Sequence, residues 1–334
     1  MKVFVSGGAG YIGSHTVLEL VKSGHEVVVY DSLEKSTLGN LKSIEKLLGV
    51  KIPFIQGNVL DSKLVLEALQ ENRPDAVMHF AAYKNAGESV QKPKEYYQNN
   101  FIGAKTLLDC MLETGVISFI LSSTCAIYGN PKVLPVAEKT PANPISPYGK
   151  SKLMIETLLT DYQVAYGLNS VSLRYFNAAG ASETCAIGEQ SESTANIIPL
   201  IIENLLGHKS GFQLYGNKFN TDDGTQERDY IHVSDLATGH LKALEYVSIN
   251  KGAHMFNLGT GTPTSNMELI KLAEKLAGKN LEYKVIAPRQ GDPEKVYADP
   301  SFAKRELHWK AKYDIEDIMK SSWDWHSKSI ASFA

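Results

Sequence analysis

Short, unbroken apolar runs alternate with longer segments whose apolar positions recur every three or four residues, and this alternation fills the first half of the chain. Lys2 to Ser6, Glu26 to Tyr30, Ile52 to Gln56, Asp75 to Ala82 and Phe119 to Ser123 read as strands. Ser170 to Leu173, continued through Arg174 to Asn177, reads as the next. Between them, the spacing of Val17, Leu18 and Val21 predicts a helix that stops at Gly24. Longer helices are expected over roughly Glu95 to Thr114 and Tyr148 to Tyr166. Strands that are apolar throughout, not at every second residue, are covered on both faces, as in a parallel sheet wrapped by helices. The expected fold is therefore α/β, a doubly wound parallel sheet, with ligands gathering at the carboxyl ends of its strands.

From about Ala178 the texture changes. Gly180 to Ala195 and Tyr215 to Gln226 are polar and loop-like, and helices are expected at Pro199 to Leu206, Ser265 to Leu276 and Ile315 to Lys328. This predicts a nucleotide-binding domain over 1–177 and a smaller substrate lobe over 178–334, with 228–260 returning to the first domain. The sequence contains no internal repeat.

Composition removes several function classes. With 334 residues, 43% hydrophobic and 21% charged, the chain has the make-up of a water-soluble globular protein. The net charge of −3, without a Lys/Arg block, gives no reason to expect a nucleic-acid or membrane partner. The glycines at Gly7, Gly8 and Gly10 cut the opening apolar run too short for a signal peptide. Three cysteines, Cys110, Cys125 and Cys185, lack metal spacing and read as free thiols of a reducing cytoplasm. No metal site is expected, and His232 and His254 read as packed side chains.

Two motifs carry chemistry. Gly7-x-x-Gly10-x-x-Gly13 lies between a strand and a helix, and a second strand ends at Asp31, 18 residues after Gly13. The glycines let the backbone approach a pyrophosphate, which the helix amino terminus then holds. An acid at Asp31 suits ribose hydroxyls and repels a 2′-phosphate, so NAD is expected over NADP. The second motif is Ser146-Pro147-Tyr148-Gly149-Lys150-Ser151-Lys152. Ser146 is a good N-cap and Pro147 a good first helical residue, so Tyr148 and Lys152 should share a face near a helix start. An ammonium roughly 5 Å from the phenol, at an effective dielectric of ~20, favours the phenolate by about two pKa units. That would bring Tyr148 towards the range of a general base.

These motifs, with Ser122-Ser123-Thr124 and Tyr128-Gly129, resemble the extended short-chain dehydrogenase/reductase superfamily. More narrowly, the chain is similar to UDP-glucose (UDP-galactose) 4-epimerases. That resemblance rests on Gly7 to Thr16, Gly87 to Pro93, Pro147 to Lys152, Leu173 to Asn177 and Arg228 to Val233. Asn257 to Gly259, Ala287 to Arg289 and Gly291-Asp292 extend it nearly end to end. It implies a Rossmann-type domain binding NAD, with Tyr148 as base, Lys152 as its partner at the nicotinamide ribose, and Thr124 in place of a serine. It places Tyr11, Ile12, Asp31, Ser36, Asn58, Val59, Phe80, Ala81, Ala82, Lys84, Asn99 and Phe176 at the cofactor, with Asn58 where an aspartate is common. It places Lys84, Thr124, Tyr148, Asn177, Asn196, Ile197, Tyr215, Arg228, Arg289 and Asp292 at the nucleotide sugar. Val296 stands where the family has a side chain near the hexose, and its small size implies room for UDP-GlcNAc and UDP-GalNAc. A cytoplasmic homodimer is implied, formed by helices carrying Phe101, Leu108, Met111 and Leu153, Leu158, Tyr162.

Three other readings keep the same scaffold. A 4,6-dehydratase would need an acid pair after Thr124, where Cys125-Ala126 stand instead. A 4-epimerase of UDP-glucuronate or a pentose differs only around C5. A non-enzymatic NAD-sensing regulator could dispense with the tyrosine–lysine pair, which is intact here.

Overall fold

The computed structural model describes residues 1–189, 196–288 and 292–331. The chain opens with β1 (Lys2–Ser6), α1 (Tyr11–Lys22), β2 (Glu26–Asp31), α2 (Gly39–Leu48), β3 (Phe54–Gln56), α3 (Ser62–Asn72) and β4 (Ala76–His79). Next come α4 (Ala86–Gln91), α5 (Pro93–Tyr96), a π-helical segment (Tyr97–Ile102), α6 (Gly103–Thr114) and β5 (Ser118–Thr124). A 3₁₀ turn (Cys125–Tyr128) leads to α7 (Pro147–Tyr166), β6 (Asn169–Tyr175) and β7 (Asn177–Ala179).

Successive residues of each central strand feed opposite cores. Val3 and Val5 join Val17, Leu18, Ile44 and Leu244 on one face, whereas Phe4 joins Leu69, Leu107, Met111 and Leu159 on the other. Both faces are covered, so the strands need no polar alternation.

The second half supplies α8 (Ile197–Leu205), β8 (Phe212–Tyr215), β9 (Glu227–His232), α9 (Val233–Ile249), β10 (Ala253–Leu258) and β11 (Pro263–Ser265). It ends with α10 (Asn266–Ala277), β12 (Tyr283–Ile286), β13 (Lys295–Val296), α11 (Ser301–Glu306) and α12 (Ile315–Ala331). The seven-stranded sheet has the order β10-β6-β5-β4-β1-β2-β3, with every pair parallel. A four-stranded sheet combines β7, β9, β11 and β13, and β8 pairs with β12 alone. The second lobe has its own core, in which Ile198, Ile201 and Ile202 of α8 pack with Leu269, Ile270, Ile318 and Met319.

Several expectations need correction. Of the 228–260 return, α9 and β10 join the large sheet and its cover, whereas β9 pairs in the small sheet, with Ile231 in the first core and Tyr230 in the second-lobe core. The strand expected to run to Asn177 breaks at Phe176, whose ring enters a cluster with Ile127, Tyr128, Val136 and Val296. The strand expected to reach Ala82 ends at His79, because Phe80 N and Ala81 N both donate to Ser6 O (2.7 and 3.2 Å) and swing the chain over Gly7. The helix expected over Glu95 to Thr114 is three pieces, with the π segment between α5 and α6. Leu108 and Met111, expected on a dimer face, are fully buried in the domain core.

Candidate active site

The glycine turn is built for close approach. Gly7 has φ of +77°, and a Cβ there would lie 2.4 Å from Ala81 N; one on Gly13 would lie 2.2 Å from Gly7 O. Gly10 caps α1 without a side-chain bond, so the first-turn N–H groups of α1 keep no side-chain acceptor at the cap. A helix start stripped of side chains in this way fits a pyrophosphate.

At the end of β2, Asp31 accepts from Ala9 N (3.0 Å), Leu33 N (2.9 Å) and Ser36 Oγ (2.9 Å). A carboxylate has about four acceptor sites, so roughly one remains for a ribose hydroxyl. Ser36 therefore orients Asp31. Asn58 spends its Oδ1 on Leu60 N (2.9 Å), which leaves its amide N–H groups to face a ligand. Gly7, Asp31, Ser36, Asn58, Val59, Phe80, Ala81, Ala82 and Asn99 line one cleft. The sequence reading missed Tyr83 in this wall, although it sits between Ala82 and Lys84; its hydroxyl donates to Glu34 Oε1 at 2.5 Å.

Asn100 was also missed. Fully buried in the π segment, it accepts from Tyr83 N (2.8 Å) and donates to Tyr83 O (3.0 Å) and Ser151 Oγ (3.2 Å). Ser151 Oγ in turn donates to Tyr148 O (2.8 Å). One amide thus fixes the loop after β4 to the first turn of α7. A π bulge places it there, and such bulges recur at functional sites.

Ser146 caps α7 by accepting from Gly149 N (3.2 Å), and Pro147 opens the helix, as the spacing predicts. The Tyr148 phenol lies beside Thr124, at the end of β5. Burial pushes the Tyr148 phenol up to about 12, against the lowering effect of the Thr124 hydroxyl. The expected fall towards neutrality is thus absent from the protein alone. Lys152 turns its ammonium to Ser122 O (2.7 Å), and burial takes its own pKa down to about 8 while Glu156 opposes the shift. Glu156 lies one turn on and pairs with Arg174 in a buried salt bridge at 2.5 Å, while Ser123 Oγ donates to it at 2.5 Å.

The second lobe brings another set to the cleft. Asn177 on β7, Arg228 on β9 and Val296 on β13 occupy neighbouring strands, with Val296 in register with Arg228. Arg228 donates only to the carbonyls of Glu227 (2.9 Å) and Glu294 (3.4 Å), and has no ion pair among the described residues. Burial lowers its pKa. A largely buried guanidinium with carbonyl partners alone suits an incoming anion. Asn196 and Ile197 begin α8, Tyr215 ends β8, and Asp292 accepts from Gln226 Nε2 (3.4 Å). Val296 packs with Tyr128 and Phe176. Arg289 lies outside the described residues. Tyr11 reaches across from α1 to donate to Gly180 O (2.5 Å), and Lys84 pairs with Glu189 (2.9 Å). No group of side chains among the described residues has metal-ligand geometry, and no described helix is long and apolar enough to cross a membrane.

A family model for the NAD dependent epimerase/dehydratase family matches residues 3–259. The chain belongs to that family. It is 42% identical over 332 residues to the UDP-glucose 4-epimerase of Pasteurella multocida, covering 98% of each chain. Among solved structures, the Bifidobacterium longum UDP-glucose 4-epimerase in complex with NAD⁺ and UDP is 41% identical, with a TM-score of 0.95 over 99% of both chains. The Stenotrophomonas maltophila UDP-glucose-4-epimerase with bound NAD and formylated UDP-arabinopyranose is 38% identical, with a TM-score of 0.96 over the full length of both. The glycine cradle and Asp31 agree with NAD as the cofactor of this family member.

Proposed function

We propose that the protein interconverts UDP-glucose and UDP-galactose by inverting C4, with NAD kept bound through the cycle. The observation that carries this reading is Tyr148 beside Thr124 and one helical turn from a buried Lys152, with Arg228 of the other lobe in no ion pair among the described residues. Bound NAD⁺ would supply a hydride acceptor and a positive charge that vanishes on reduction. Tyr148 takes the proton of the sugar 4-hydroxyl, Thr124 orients that oxygen, and the C4 hydrogen leaves as hydride. The 4-keto sugar turns over and regains hydride on its other face, and Tyr148 returns the proton. Atoms and electrons balance without an external reductant.

A phenol held at about 12 is a poor base until positive charge draws it down. Lys152 and the oxidised nicotinamide are the two charges available, so Tyr148 becomes a base when the ring is oxidised and a donor once it is reduced. A sugar that must rotate cannot itself be gripped. Affinity therefore comes from the UDP, through Arg228, Asn177, Asn196, Ile197, Tyr215, Asp292 and Arg289. Dehydration is disfavoured because Cys125 and Ala126 follow Thr124 where an acid pair would be needed. Val296, being small, supports acceptance of UDP-N-acetylhexosamines as a second substrate pair. Half-buried Phe101, Leu158 and Tyr162 support a homodimer through the π segment and α7.

The test is UDP-galactose incubated with the purified protein and no added NAD, with the product sugar identified. UDP-glucose is expected; recovery of UDP-galactose alone sinks the proposal. Tyr148→Phe should bind UDP as before yet lose turnover by at least ~100-fold.

A further inference from the structure

Glu189 is a buried carboxylate, 8% exposed, that the proposed chemistry does not use. Its Oε1 receives Lys84 Nζ at 2.9 Å, and Asn196 Nδ2 donates to both its oxygens, at 3.0 and 3.2 Å. Its backbone is held from two sides. Trp325 Nε1 donates to Glu189 O (3.0 Å), and Asn40 Nδ2 donates to Gly188 O (3.0 Å) while also reaching Ser14 Oγ (3.0 Å) on α1. Gly188 must be glycine here, since a Cβ would lie 2.5 Å from the Trp325 ring. The Glu189 backbone is therefore anchored before its side-chain partners are counted.

Those partners come from segments far apart in the chain. Lys84 follows the cofactor-lining segment Phe80–Tyr83, and Asn196 opens α8 in the substrate lobe. Lys84 is 57% exposed, and an ion pair open to water on one side contributes little stability. A carboxylate near a diphosphate site also repels the ligand. Neither stability nor charge explains its presence; geometry does.

We propose that Glu189 is a positioning residue for UDP-sugar binding, anchoring the Lys84 ammonium and the Asn196 carboxamide on one carboxylate so that cofactor-side and substrate-side contacts are set together. The proposal rests on the UDP-sugar reading of the site above.

Charge and positioning predict opposite signs. If only charge mattered, Glu189→Gln would tighten UDP binding, because a negative group leaves the neighbourhood of an anion. If Glu189 positions, the same variant binds UDP about tenfold more weakly, the scale of one lost charge-assisted hydrogen bond. Calorimetry of UDP binding to the NAD-loaded protein reads this without turnover. In a Lys84→Met background, Glu189→Gln should weaken binding less than about threefold, because half of what it holds is already gone. Glu189→Asp keeps the charge but shortens the reach, and should also weaken UDP binding; it makes the same comparison if the glutamine variant fails to fold. An unchanged melting temperature and Trp emission will show that the segment remains seated on Trp325. Unchanged or tighter UDP binding by Glu189→Gln overturns the proposal, as does an undiminished effect in the Lys84→Met background. Parent turnover of UDP-galactose, measured in parallel, tests the catalytic reading separately.

Discussion

Lys152 is an ammonium with 1% of its surface exposed, and its place on the helix one turn after Tyr148 was legible because four-residue spacing fixes a shared face. What spacing could not reveal was the balance of burial against charge. Both groups lie deep enough that desolvation dominates, raising the phenol and lowering the amine. Lys152 therefore costs stability wherever it is charged in the fold. Its pKa falls from 10.5 unfolded to about 8 folded, a penalty on the order of 3 kcal/mol at pH 7. The unfolded chain binds the extra proton between those values, so the penalty shrinks as pH rises from 8 to 10.5 and is gone above. Lys152→Met, compared with nucleotide removed, is expected to be inactive yet about 1–2 kcal/mol more stable at pH 7, after the orphaned Ser122 carbonyl is allowed for. The advantage should fade by pH 10.5. Thermal melts across that range check it, and a variant less stable than the parent at pH 7 would show that the Ser122 contact outweighs burial.

At the scale of elements, apolar runs located the strands well because each central strand is covered on both faces. They located strand ends less well. β4 stops at His79 through backbone bonds to Ser6 O, and β6 stops where the Phe176 ring turns into its own cluster; neither event alters the apolar pattern. The π segment was invisible for a related reason: the six residues Tyr97–Ile102 are too few to define a period of their own. Its signature is instead polar, the fully buried Asn100. Asn100→Leu keeps the volume but leaves Tyr83 N, Tyr83 O and Ser151 Oγ without this partner. A loss of about 3 kcal/mol is expected, seen as a lower melting temperature. NAD retention after gel filtration should fall too, since Tyr83 lines the cleft. A variant that melts with the parent would show that water replaces the amide.

For the whole molecule, the question is how a sheet that holds the cofactor and a lobe that holds the sugar act as one. The sequence drew the division near residue 178 and returned Arg228 to His232 to the first domain; the strand there pairs in the small sheet, and a buried strand between two cores looks like any other. Its joint is Asp229, fully buried next to Arg228. It accepts from Thr260 N (2.9 Å), Thr260 Oγ1 (2.7 Å), Gly261 N (3.0 Å) and Ala298 N (3.1 Å). Those donors follow β10, at the edge of the large sheet, and β13, in the small one, so one carboxylate ties the two sheets through backbone. Gly259 leaves it room, since a Cβ there would lie 2.5 Å from Oδ2. Asp229→Asn puts an amide N–H₂ against backbone N–H groups and strands at least two of them. The expected cost is about 3 kcal/mol. It should fall unevenly: UDP affinity drops because Arg228 is displaced along β9, while NAD retention holds because the glycine turn and Asp31 lie on the far side of the large sheet. Calorimetry with UDP and the absorbance of bound nucleotide separate the two, and equal losses of both ligands would mean that the carboxylate supports the fold at large, not the joint.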